Sequence, residues 1–61
     1  MPRYRFTRPD ADAEELDVDS DEAADAVARD RSRATGAPVT VHRHSSHVDA
    51  WEYVTEVDER A

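Results

Sequence analysis

One stretch of this chain repeats its apolar residues at helical spacing, and segments of strict alternation flank it on both sides. Ala23, Ala24, Val27 and Ala34 fall on one face of a 3.6-residue period. Asp19 or Ser20 is placed to cap the first turn, which holds Asp21 and Glu22. Arg29, Arg31 and Arg33 gather toward the other end, so acid first and base last complement the helix dipole. Asp25 and Arg29 form an i,i+4 pair in the better orientation. Thr35-Gly36 reads as the stop, with Pro38 beyond it. The spacing predicts one helix from about Ser20 to Thr35.

The flanks read as strands. In Arg3–Thr7, Tyr4 and Phe6 point one way and the arginines the other. Arg8–Ala13 reads as a turn. Glu14–Asp19 then puts Leu16 and Val18 inward, so Arg3 and Arg5 oppose Glu15 and Asp17 across a hairpin. After the helix, Pro38–His44 has Val39 and Val41 on one side and Thr40, His42 and His44 on the other. Ser45–His47 is a polar turn. Val48–Val57 is the last strand, with Trp51 and Tyr53 expected inward and Trp51 resting on Val27 and Ala23. Val54 breaks the alternation there, which implies either a bulge or a strand partly covered on both faces. The expected fold is therefore α+β: ββαββ, a four-stranded, mainly antiparallel sheet with one helix packed on one face. The preferred strand order is 2-1-3-4. Residues 1–61 are read as a single domain, with 58–61 frayed.

The core available to such a fold is thin. The chain has no Cys, so disulfides and thiolate metal sites are excluded, and Leu16, Phe6, Trp51, two Tyr and a set of Val are its main large apolar residues. All eight basic residues are Arg, and the fifteen acids leave a net charge of −7. Lys, Asn, Gln and Ile are absent. Carboxylates on short stems hold water and cations, whereas the long apolar stem of Lys favours aggregation at high salt. The acidity thus points to a salt-rich solvent rather than to a basic partner. No run is apolar enough to span a membrane and no signal-peptide core is present, so the cytoplasm is the default location.

The run Ser20-Asp-Glu-Ala-Ala-Asp-Ala-Val-Ala, with Thr35-Gly-Ala-Pro-Val-Thr-Val-His-Arg-His after it, resembles the second half of small ββαββ proteins of a family of unknown function. In that family an Ala-rich helix ends at Gly and leads into a Val-rich strand. The likeness covers about half the chain, its residues are mainly fold-determining, and the Gly-Trp pair of that family's first turn is absent here. It implies the fold and carries over no functional residue. The composition likewise resembles that of short acidic proteins of haloarchaea.

The residues suggest four chemistries. His42, His44 and His47 form H-x-H-x-x-H, and imidazoles at that spacing suit zinc, copper or nickel, with Asp49 as a fourth ligand. The Arg-aromatic run Arg3-Tyr4-Arg5-Phe6-Thr7-Arg8 invites single-stranded nucleic acid. That use needs aromatics on the open face, whereas the period turns Tyr4 and Phe6 inward, and counterion-driven binding fades with salt. Asp17, Asp19 and Asp21 lack the glycine of a calcium loop. Ser45, His47 and Asp49 sit too close together on one turn to enclose a dry catalytic site, so no enzyme and no cofactor is expected. The preferred reading is a non-enzymatic protein-association module, most simply a homodimer, joined through the last strand with Val48, Val54 and Arg43 at the interface. The alternatives are a small metal- or ligand-binding protein using the His42, His44 and His47 face, and a nucleic-acid-binding accessory protein.

Overall fold

A computed structural model of the chain describes residues 2–9 and 11–59. The elements run β1 (Arg3–Arg8), β2 (Ala11–Asp17), α1 (Asp21–Thr35), β3 (Val39–Ser45) and β4 (Ala50–Val57). The four strands form one sheet in the order β2-β1-β3-β4, every neighbouring pair antiparallel. The ββαββ reading and its strand order are those expected.

Helix α1 begins where its capping chemistry dictates. Ser20 has extended backbone and its Oγ accepts from the N–H of Ala23 at 3.1 Å. At the other end Gly36 adopts φ 70°, a left-handed conformation that Gly enters without a Cβ clash, and its N–H donates to the Ser32 carbonyl at 2.8 Å. The buried stripe is Ala24, Ala28 and Ser32, spaced by four. Ala23 and Val27 are only partly covered and Ala34 is exposed, unlike the face read from the sequence. Small residues on the stripe let the helix backbone lie close on β3 and β4. Ser32 is tolerated there because its hydroxyl accepts from the backbone N–H of Glu59 at 2.8 Å, which satisfies a buried polar atom. The same contact, with an Arg29–Glu59 ion pair, fastens the tail to the helix. Of the tail read as frayed, 58–61, Glu59 makes these contacts and Arg60 and Ala61 lie outside the described residues.

The core joins Tyr4 and Phe6 of β1, Val39 and Val41 of β3, Val57 of β4 and Ala24 and Ala28 of α1, all 5% exposed or less. Leu16, Val18, Val27 and Val54 pack around it. Strand β2 starts at Ala11, earlier than its apolar pattern implies, because β1 templates it: Arg8 pairs with Ala11 beyond an irregularity after Phe6. It ends at Asp17, where Val18 already leaves the ladder and donates to the Pro2 carbonyl. Arg31 reaches the β2 edge and grips Glu14 with two nitrogens, at 2.9 and 3.3 Å. This fork holds the Glu14 carboxyl below its usual range.

Trp51 and Tyr53 overturn the inward expectation. Val41 pairs with Thr55 but His42 pairs with Tyr53, so Val54 is an extra residue, a β-bulge. Without it, residues 51, 53, 55 and 57 would share one face. With it, Thr55 and Val57 stay on the core side while Tyr53 and Trp51 stand opposite His42 and His44, on the face without the helix. The break at Val54 was legible and the bulge is one of the two readings it allowed; the side it gave to the aromatics was not legible.

The N-terminus of α1 is tied to the sheet by Tyr4, whose buried hydroxyl donates to Asp21, while Arg43 Nη1 meets the same carboxylate at 3.1 Å. Burial first, and then the hydrogen bond to Asp21 and its charge, raise the Tyr4 hydroxyl above its ordinary 10.0. A folded-state value above the unfolded one means that this contribution is present below pH 10 and is lost as pH rises through the higher folded value. Tyr4→Phe should cost about 1 kcal/mol at neutral pH and flatten the decline in melting temperature above pH 10. Melting curves from pH 7 to 12 test both; an alkaline decline as steep in the variant as in wild type would remove Tyr4 as its source.

Candidate functional site: the open sheet face

The face away from α1 is built by the residues that alternate with the core. Strand β1 contributes Arg3 and Arg5, β2 Glu15 and Asp17, β3 His42 and His44, and β4 Trp51 and Tyr53. Across the sheet the rows therefore run acid, arginine, histidine, aromatic. The Arg–acid contacts read from the sequence form: Arg3 lies 3.3 Å from Asp17 and 3.7 Å from Glu15, and Arg5 lies 3.2 Å from Glu15.

The rings are stacked in order. His42 meets Tyr53 edge-on with centroids 6.0 Å apart, and His44 meets Trp51 edge-on at 5.3 Å. The Arg5 guanidinium crosses the sheet to lie 4.2 Å from the Trp51 ring centre, a cation–π contact. Two polar atoms beneath this layer, Arg5 Nε and His42 Nδ1, are buried without a hydrogen-bond partner. Tyr53 remains 66% exposed, although it is one of only four aromatics in the chain.

The histidines separate. His42 and His44 share the open face, whereas His47 stands exposed in the turn. It is His44 that meets Asp49, with Nε2 and Oδ1 at 3.0 Å. Among the described residues no group of three His, Asp or Glu side chains is placed to hold a metal ion, and no pocket is present. No helix is long and apolar enough to cross a membrane.

The residues proposed for an interface also separate. Val48 is 66% exposed in the β3–β4 turn. Val54 instead packs against the core at the bulge. Arg43 shares the core-side row with Tyr4 and is ion-paired with Asp21 and Glu52, so it is not part of the open face. The apolar surface that sequence reasoning placed at Val54 is supplied by Trp51 and Tyr53. Their outward direction follows from two readable facts, the outward His42 and His44 and the break at Val54, once the strands are paired across rather than read singly.

Comparison with protein-family models, curated proteins and solved structures finds no match. The functional reading accordingly rests on this face.

Proposed function

We propose that the chain is a non-enzymatic protein-association module that forms a homodimer through its open sheet face, in a salt-rich cytoplasm. The observation that carries this is the outward placement of Trp51 and Tyr53 on a strand whose partner face holds a complete core without them. Tyr53 is exposed and Trp51 half-buried under Arg5 and His44, and aromatic residues on an open face are enriched in protein interfaces.

The face is a better contact surface than either edge. Edge strand β2 carries Asp12, Glu14, Glu15 and Asp17, which defend it by charge. Edge strand β4 carries the Val54 bulge with Glu52 and Glu56, and bulges blunt edge pairing. A polyanion is a poorer occupant than a second copy, because Arg3 and Arg5 are already paired with Glu15 and Asp17. The face does offer a nucleic acid stacking rings, Trp51 and Tyr53, on its open side, so single-stranded RNA is the control for self-association. Four strands of about seven residues span roughly 400–450 Å² in projection. Two such faces lie at or below the small end of stable interfaces, so concentration-dependent association is expected.

Light scattering at high salt should report twice the chain mass, falling on dilution. Tyr53→Asp should give a folded monomer. Val54→Asp is expected to do something different: it places a charge against the core and should unfold the chain. A wild type that stays monomeric at millimolar concentration would refute self-association. Retention of single-stranded RNA at molar salt, lost in Trp51→Ala, would replace it with the nucleic-acid reading.

A further inference from the structure

We propose that His44 and Asp49 are half of a divalent transition-metal site, which a second copy of the chain completes. The inference rests on the homodimer reading and adds to it a ligand and a point of contact.

The half-site is defined by distance. His44 Nε2 and Asp49 Oδ1 are 3.0 Å apart. On a tetrahedral zinc ion with bonds of about 2.0–2.2 Å, two neighbouring ligand atoms stand about 3.3–3.4 Å apart. The pair can therefore open around an ion by a few tenths of an ångström. Asp49 holds the left-handed backbone conformation, φ 49°, in the turn that returns it toward His44. The His44 ring is kept in place by its edge-on contact with Trp51, so its orientation does not depend on the ion.

A single copy stops at two ligands. His42 turns toward Tyr53, His47 is exposed in the turn, and no third donor joins the pair among the described residues. Two ligands bind such ions weakly, whereas two copies about a two-fold axis offer two imidazole nitrogens and two carboxylate oxygens. That is the four-coordinate set zinc and cobalt accept. The position favours it: the pair lies at the turn end of the open face, beside Trp51, and the Asp49 side chain is 94% exposed. A two-fold axis passing beside Asp49 would bring two such corners together, and because the pair lies on the face away from the helix the core would be undisturbed.

The experiment uses the metal-free chain in molar sulfate, where chloride does not compete for the ion. Zinc should tighten dimerisation at least tenfold and saturate at one ion per two chains. Cobalt should quench the emission of Trp51, the chain's one tryptophan, because the His44 ring lies against it. His44→Ala and Asp49→Asn should each lose both effects, while His47→Ala should retain them. Saturation at one ion per chain, unquenched Trp51 emission, or equal loss in His47→Ala would overturn the site. A dimer whose mass and affinity ignore zinc and chelator alike would overturn the site and leave the association reading standing. A monomer at every metal concentration would overturn both.

Discussion

Phe6→Ala is expected to leave the chain unfolded at any salt concentration, whereas Trp51→Ala is expected to melt cooperatively, close to wild type. Phe6 is 2% exposed and lies among Val41, Val39 and the small residues of α1. Truncating a buried Phe removes its transfer free energy and leaves a cavity, at about 3–5 kcal/mol. A domain of this size without disulfides rarely has more than about 3–5 kcal/mol in total. Trp51 touches Arg5 and His44 on the open face, and its loss removes one cation–π contact and one edge-on contact. A surface change of that kind costs on the order of 1 kcal/mol. Thermal melts by far-UV dichroism at high salt separate the two variants. An unfolded Trp51→Ala beside a folded Phe6→Ala would mean that the sheet faces are assigned the wrong way round.

That reversal of Trp51 shows where the sequence was readable. Features decided within a few residues were legible: the Ser20 cap, the Gly36 stop, the Arg3/Arg5 rows opposite Glu15/Asp17, and the break at Val54. Strand order followed too: short connections place β1 beside β2 and β3 beside β4, and the helix between β2 and β3 carries the chain past β1 to its free side. Three features depended on what lies across the fold. Ser32 looks like a solvent-facing helix residue until the tail brings the Glu59 N–H to it. Ala11–Ala13 carries no strand alternation and is held by the β1 ladder. Trp51 and Tyr53 follow size inward when β4 is read alone. The valines of β3 already fill that side, and the bulge turns the rings outward. The candidate site was half legible for the same reason: His42 and His44 were placed on the correct face, but the rings beside them were not. His47, the third of the cluster, is separated because the turn carries Asp49, not His47, back toward His44.

The second large effect is the response to salt: the melting midpoint should climb steeply from low to molar potassium chloride, and more steeply still in potassium sulfate. Two electrostatic effects oppose each other. The surface ion pairs, among them Arg31–Glu14, Arg43–Asp21 and Arg29–Asp25, are weakened by screening. Their side chains are about a third to a half exposed, and such pairs contribute only about 0–1 kcal/mol each. Against them stands the net charge of −7 confined to a body with a radius of gyration of 11.0 Å. Relative to an expanded chain, that confinement costs on the order of 4 kcal/mol in the absence of salt, by Coulomb's law in water. Among the described residues Asp12, Asp19 and Glu22 form no ion pair, which concentrates the repulsion along β2 and the start of α1. Screening relieves this, and salting-out ions add to the burial of a thin core, which is why sulfate should exceed chloride. At about 4–8 °C per kcal/mol for a domain of this length, relief of ~2–4 kcal/mol moves the midpoint by tens of degrees. Dialysis to low salt should therefore unfold the chain. A midpoint that stays flat or falls with salt would show that the ion pairs outweigh the net charge, and that the lysine-free, acid-rich surface serves some purpose other than life in brine.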